Sequence, residues 1–226
     1  MGSGSASLPA KRSLMIDPNS NNPNKSAING PSTKRSKKKS HNATAAPLVV
    51  PPGHVSFRLL CHASRVGGVI GKAGAVIKQL QSATAAKIRV EVAPPESPDR
   101  VISVVAPSGS TARISLKIPF AGAGAGGGED AAVEVSKAQE ALLRVFDRIL
   151  EVAAESGAIG FGVVSCRVLA DEAQAGAVIG KGGKVVEKIR KETGCKIRVL
   201  KENLPACAAS ADEIIEVIAA FVCIFG

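Results

Sequence analysis

Gly68 to Val90 reads GVIGKAGAVIKQLQSATAAKIRV, and Ala177 to Val199 reads AVIGKGGKVVEKIRKETGCKIRV. The two stretches align without a gap at an offset of 109 residues and are identical at 11 of 23 positions. The glycines and the closing Lys-Ile-Arg-Val fall in the same register, so one module occurs twice in the chain.

Each copy reads the same way outward from this stretch. Val55–Cys61 and Val163–Leu169 are rich in β-branched and apolar residues and predict strands. A short apolar helical turn follows, Val66–Ile70 and Ala175–Ile179. A glycine turn breaks it: Gly71-Lys72-Ala73-Gly74 and Gly180-Lys181-Gly182-Gly183. Beyond the turn, Val76, Ile77 and Leu80, like Val185, Val186 and Ile189, make one apolar helix face. Lys87–Val90 and Lys196–Val199 alternate as strands do, and Val101–Ala106 and Ile214–Ile218 predict further strands. A helix over about Ala131–Ala154 closes the first copy, with Val135, Ala138, Leu142, Val145, Ile149 and Val152 at helical spacing. Pro107–Asp130 reads as a flexible insertion containing the glycine-rich Ala121–Gly128. The expected fold is α+β, with a three-stranded sheet packed on three helices in each copy. The second copy is expected to lack the closing helix, since after Ile218 the chain reads Ala-Ala-Phe-Val-Cys-Ile-Phe-Gly; either the chain is a truncated form of a longer protein, or Phe221–Phe225 is a poor substitute. The expected organisation is a tail 1–53, a first domain 54–154, a linker 155–162 and an incomplete second domain 163–226.

Charge is unevenly placed. The net charge is +10, of which residues 1–50 carry +7 and the remainder only +3. A polyanionic partner fits the total, but binding by the folded part must come from local placement of cations. The tail is rich in Ser, Asn, Pro, Gly and Lys and reads as disordered. Its cluster Lys34-Arg35-Ser36-Lys37-Lys38-Lys39 reads as a nuclear localisation signal and adds sequence-independent phosphate attraction. Five cysteines without C-x-x-C spacing, and no secretory h-region, point to a reducing compartment. His41, His54 and His62 do not fall at zinc-ligand spacing with them, so no metal and no cofactor are expected. The apolar run Val217–Phe225 is too short to span a bilayer.

A glycine turn that opens a helix presents backbone N–H groups and partial positive charge, which attract phosphate. Lys72 and Lys181 add a mobile cation at each turn. A nucleotide-triphosphate loop fits the pattern poorly: Ala73 and Gly182 stand where a hydroxyl should hold magnesium, and the upstream glycines Gly67 and Gly176 are one residue too close. Gly122–Gly127 matches a dinucleotide fingerprint by letter, but no strand ending in an acid follows it, since Asp147 lies within a helical pattern. Cys61 and His62 are strand neighbours that point to opposite faces, so they form no dyad.

The run Val-Ile-Gly-Lys-x-Gly, the apolar helix after it and Lys-Ile-Arg-Val resemble KH (K-homology) domains with their GXXG loop. The element order resembles the type I arrangement, and the chain is similar to plant multi-KH proteins of the poly(C)-binding type. The resemblance covers about residues 54–154 and 163–218. It implies single-stranded RNA as the partner, no enzymatic activity and a part in nuclear post-transcriptional regulation such as pre-mRNA processing. Carried over, Gly71, Lys72, Ala73 and Gly74, with Gly180, Lys181, Gly182 and Gly183, clamp about four nucleotides of backbone each. Val69, Ile70 and Ile88, with Val178, Ile179 and Ile197, form an apolar floor for bases. Lys87, Arg89, Lys196 and Arg198 bond to base edges. An aliphatic floor fits a chain with no Trp or Tyr, where aromatic stacking platforms are scarce. The alternatives are single-stranded DNA binding, a protein-interaction or self-associating scaffold on degenerate KH folds, and a nucleotide hydrolase. A closing helix on the first copy only predicts a less stable second copy.

Overall fold

The computed structural model describes residues 49–117, 130–157 and 162–220. The first repeat runs β1 (His54–His62), α1 (Ala63–Ile70), a 3₁₀ turn over Lys72–Gly74, α2 (Ala75–Thr84), β2 (Lys87–Val90) and β3 (Asp99–Pro107). A hairpin of β4 (Thr111–Lys117) and β5 (Asp130–Ser136) precedes α3 (Lys137–Glu155). The second repeat runs β6 (Val163–Asp171), α4 (Glu172–Ile179), a 3₁₀ turn over Lys181–Gly183, α5 (Lys184–Thr193), β7 (Lys196–Leu200) and β8 (Asp212–Ala220).

One core sits between the sheet and the helices. Leu59, Cys61, Ile102, Val104 and Ile88 supply its sheet side, and Val69, Ala138, Ala141, Val145 and Ile149 its helix side. The four α3 residues recur at three- and four-residue spacing, so they line the face of α3 that meets the sheet. Each large apolar side chain so buried contributes about 1.5–3 kcal/mol. Gly68 on α1 has a packing reason: a Cβ there would lie 2.5 Å from a methyl of Val152 on α3.

The sequence places the closing helix at about Ala131, whereas α3 begins at Lys137. Residues 130–136 form β5, which pairs in antiparallel register with β4, Val133 opposite Ile114 and Val135 opposite Ala112. Val135 lies three residues before Ala138 and so mimics a helical position, but Val133 and Val135 alternate with Ala132 and Glu134 as a strand requires. Ser136 fixes the true start. Its hydroxyl accepts from the Gln139 N–H and the Gln139 side chain accepts from the Ser136 N–H, a reciprocal cap. Part of the stretch read as flexible, Thr111–Lys117, is therefore a paired strand; Ala121–Gly128 lies outside the described residues. So do the basic cluster Lys34–Lys39 and Phe221–Phe225. Among the described residues, which end at Ala220, no helix follows β8, and no helix is long and apolar enough to cross a membrane.

The two repeats share one six-stranded sheet, in the order β2-β3-β1-β6-β8-β7. At its middle β1 pairs antiparallel with β6, Arg58 opposite Leu169, Leu59 opposite Val168 and Leu60 opposite Arg167. The helix-facing Cys166 and Val168 of β6 pack against the first repeat's core. On the sheet's other face Leu60, Val101, Leu169 and Ile214 make a second small core, covered by Leu204, Cys207 and Ala208 of the β7–β8 loop. Two ion pairs cross the seam: Arg58 donates to both Asp212 oxygens at 2.8 and 2.6 Å, and Arg167 to both Asp99 oxygens at 2.9 and 2.6 Å.

Candidate nucleic-acid interface

Both glycine turns have the same backbone. Gly71 (φ 74°) donates to the Gly67 carbonyl at 2.9 Å, and Gly74 (φ 76°) to the Gly71 carbonyl at 3.1 Å. Gly180 (φ 72°) and Gly183 (φ 78°) repeat these bonds to Gly176 and Gly180 at 2.8 and 3.1 Å. The first glycine of each turn is required twice over. Its φ is left-handed, and a Cβ would lie 2.9 Å from the Val76 backbone nitrogen at Gly71, or 3.1 Å from that of Val185 at Gly180. The inner residues Lys72, Ala73, Lys181 and Gly182 are exposed.

Helix capping separates the elements sharply. α3 and α4 carry reciprocal caps from Ser136 with Gln139 and Asp171 with Gln174, and α1 is capped by His62. α2 and α5, which the glycine turns open, have no side-chain cap. The N–H groups of a helix's first turn have no partner within the helix. At α2 and α5 the 3₁₀ turn takes the first of them, the Ala75 and Lys184 N–H bonding to the Lys72 and Lys181 carbonyls, and no side-chain cap takes those that follow.

The other candidate residues divide by face. Val69, Ile88 and Ile197 are core residues, whereas Ile70, Val178 and Ile179 are half-buried beside the turns. Val178 is more open than its equivalent Val69, which lies in the core that α3 closes. Lys87 and Arg89 stand opposite Val105 and Ser103, on the sheet face turned away from the helices and turns. Lys196 and Arg198 stand opposite Ile218 and Glu216 on that same face. The structure thus does not bring these four cations together with the turns. Two of them are already engaged: Arg198 donates to Glu216 at 2.6 Å, and Arg89 lies 3.5 Å from Glu91. Glu216 is partly buried, which alone would raise its carboxyl, but bonds from Ser165 and Arg198 outweigh this and hold it below the ordinary glutamate range. Among the described residues no group of three His, Cys, Asp or Glu gathers to hold a metal.

A family model of the KH domain matches the chain twice, over residues 56–118 and 165–222. The chain belongs to the KH-domain family. Its KH pair is similar to KH domain-containing protein HEN4 of Arabidopsis thaliana, with 49% identity over 207 residues, 92% of this chain and 22% of that protein. It is also similar to the RNA-binding KH domain-containing proteins RCF3 and PEPPER of the same plant. RCF3 is 33% identical over 72% of this chain and 25% of its own length. PEPPER is 29% identical over 73% and 30%. The chain spans about a quarter of the length of the curated relatives it matches.

Each KH domain contains a polar bridge that sequence reasoning passed over. In the first, the Gln81 amide of α2 donates to the Ile88 carbonyl of β2 at 2.6 Å. In the second, the Arg190 guanidinium of α5 donates to the Ile197 carbonyl of β7 at 2.5 Å. These residues tie the helix after each GXXG turn to the edge strand beside it. They occupy equivalent positions at the 109-residue offset but differ in type, so a search for identities skips them. The second KH domain therefore carries an extra cation along its edge, where the first has a neutral amide.

Proposed function

We propose that this chain binds single-stranded RNA through its two GXXG turns. The observation that carries the reading is that α2 and α5 open on left-handed glycine turns with exposed lysines and have no side-chain cap. Phosphate supplies the acceptor oxygens those N–H groups lack, favoured by the helix dipole. Two such turns on KH domains support backbone clamping of about four nucleotides each. The relatives RCF3 and PEPPER, described as RNA-binding, support RNA as the polymer. Bases rest on the half-buried Ile70, Val178 and Ile179. Lys87 and Lys196, exposed on the two edge strands, add charge, and so do Arg89 and Arg198 where their carboxylate partners release them. No catalysis is part of this reading. The place of action is the nucleus, in post-transcriptional processing of RNA, with the Lys34–Lys39 cluster as the import signal.

The test is fluorescence anisotropy with short RNAs of differing composition and their DNA counterparts, at two salt concentrations. The intact chain is compared with variants carrying Lys72→Asp with Ala73→Asp, and Lys181→Asp with Gly182→Asp. Far-ultraviolet circular dichroism verifies that the variants fold. Composition-dependent binding that collapses in the folded double-loop variant is the expected result. Binding that persists and responds only to salt would assign the interaction to the basic tail. Import of a fluorescent fusion, lost on replacing Lys37, Lys38 and Lys39 by Ala, tests the nuclear assignment separately.

A further inference from the structure

The seam between the two KH domains carries two cysteines that RNA binding does not use. Leu59 and Val168 are equivalent positions of the repeat and pair directly with each other, so a local two-fold axis passes between them. The register continues with Leu60 opposite Arg167. One residue further, the same antiparallel count puts Cys61 of β1 opposite Cys166 of β6, and both strands extend to include them. Alternation from Leu59 and Val168 turns both side chains toward the helices. The packing agrees: Cys61 lies in the first core, and Cys166 packs against that same core from the second domain. Both are free thiols.

Strand spacing suits a bond between them. Opposite residues of an antiparallel pair have Cα atoms about 4.5–5.5 Å apart, and disulfides span Cα separations of about 4.4–6.8 Å. The repeat does not dictate this pair. The equivalent of Cys61 in the second copy is Ala170, and the equivalent of Cys166 in the first is Phe57. The other described cysteines stand elsewhere: Cys207 covers the small core on the sheet's opposite face, and Cys195 immediately precedes the outer strand β7.

We infer that Cys61 and Cys166 form a redox latch, an inter-domain disulfide site that ties β1 to β6 when the chain is oxidised. The seam it closes is short, with three paired positions and two ion pairs. The latch is independent of RNA binding. With glutathione disulfide as the oxidant, the bond forms in two exchanges. Cys166, the more open of the two, loses its proton and attacks one glutathione sulfur, which makes a mixed disulfide and releases one glutathione. Cys61 then loses its proton and attacks the Cys166 sulfur, which makes the Cys61–Cys166 bond and releases the second glutathione. The protein gives up two electrons and two protons, and the oxidant takes up both. Burial raises both thiols, to about 11 at Cys61 and about 12 at Cys166. Thiolate is the attacking form, so the latch closes slowly in the folded chain at neutral pH and faster while the seam is open.

The experiment refolds the full chain from urea in an oxidising glutathione buffer, so that burial does not limit bond formation. Non-reducing tryptic digestion and mass spectrometry then map the links. The expected result is an intramolecular bond that joins the peptide Leu59–Arg65 to the peptide ending at Arg167. It closes a loop of about 100 residues, so the oxidised chain should melt about 10 °C above the reduced one, and dithiothreitol should reverse the shift. A variant with Cys195→Ser, Cys207→Ser and Cys223→Ser keeps only the pair and should retain both the link and the shift. Cys166→Ser should lose both. Free thiols at Cys61 and Cys166 after equilibration, glutathione retained on either, or links to other cysteines or between chains overturn the inference. So does a Cys61–Cys166 link that lowers the melting midpoint, since the native seam then does not accommodate it. None of these outcomes bears on RNA binding, which the anisotropy series tests on its own.

Discussion

Arg58 and Asp212 stand 154 residues apart in the chain, yet the guanidinium meets both carboxylate oxygens, at 2.8 and 2.6 Å. Arg167 and Asp99 form the same pair on the other side of the local two-fold. The aspartates are almost fully buried and the arginines about two-thirds so. This is the geometry in which losing one partner costs most, because it strands a buried carboxylate.

Arg58→Ala should destabilise the chain by about 2–3 kcal/mol, below the ~3–5 kcal/mol of a fully buried pair because Arg58 keeps some solvent contact. Asp212→Ala also frees the Ala209 N–H, which donates to the same carboxylate at 2.9 Å. A double-mutant cycle on urea midpoints isolates the pair. A coupling near zero would mean that the small apolar core around Leu60 and Leu169 holds the seam without help.

Gly68→Ala should cost about 1–3 kcal/mol, because the new methyl meets the Val152 side chain at 2.5 Å. The second KH domain already has Ala177 at the equivalent, exposed position. Ala177→Gly should lose only the helix preference of alanine, about 1 kcal/mol. Thermal melts of the two variants check the contrast. Equal small losses would show that α3 shifts to accept the methyl.

The fold was legible in the sequence wherever the two copies agree. Val-Ile-Gly-Lys and Lys-Ile-Arg-Val fix the glycine turn, the helix after it and the edge strand, and β1, β3, β6 and β8 follow from their apolar runs. The hairpin was missed because it exists in one copy only, and because Val135 satisfies the helical period of α3 as well as the alternation of β5. At the site, the turn residues were legible because left-handed backbone restricts the amino acid. The face of Arg89 and Arg198 was not. Alternation puts them opposite Ile88 and Ile197 once those two are core, but whether the isoleucines were core or groove depended on the helices above them. The seam left no local signal, since Arg58, Asp99, Arg167 and Asp212 read as ordinary surface charges until β1 and β6 are paired.

The residue after each second helix offers a cleaner contrast. Ala85 and Gly194 end α2 and α5 in left-handed backbone, at φ 54° and 66°. That conformation costs a non-glycine residue on the order of 1 kcal/mol, and glycine's greater freedom in the unfolded chain returns part of it. Ala85→Gly should therefore stabilise the first KH domain by about 0.5 kcal/mol. Gly194→Ala should destabilise the second by a similar amount, about 0.5 kcal/mol. Amide exchange of α2 and α5 reads each change where it occurs.

Glu216 gives the second KH domain a pH dependence that the first lacks at the equivalent position, where Ser103 stands between Arg58 and Arg89. Burial opposes ionisation of Glu216, but the Ser165 hydroxyl and the Arg198 guanidinium overcome it and hold its folded-state value below the ordinary 4.5. A carboxyl whose folded value is depressed adds stability that is fully present above its unfolded value. That stability is lost as pH falls through the folded one. The contribution should be intact at pH 6 and fade as the pH falls below the ordinary 4.5. Glu216→Gln should cost on the order of 1 kcal/mol at pH 6, discounted because Arg198 is half exposed. The difference between the parent chain and the variant should shrink as the pH is lowered. Urea denaturation at several pH values measures it, and a difference that stays constant down to pH 3 would show that the carboxylate charge contributes nothing and the bond from Ser165 everything.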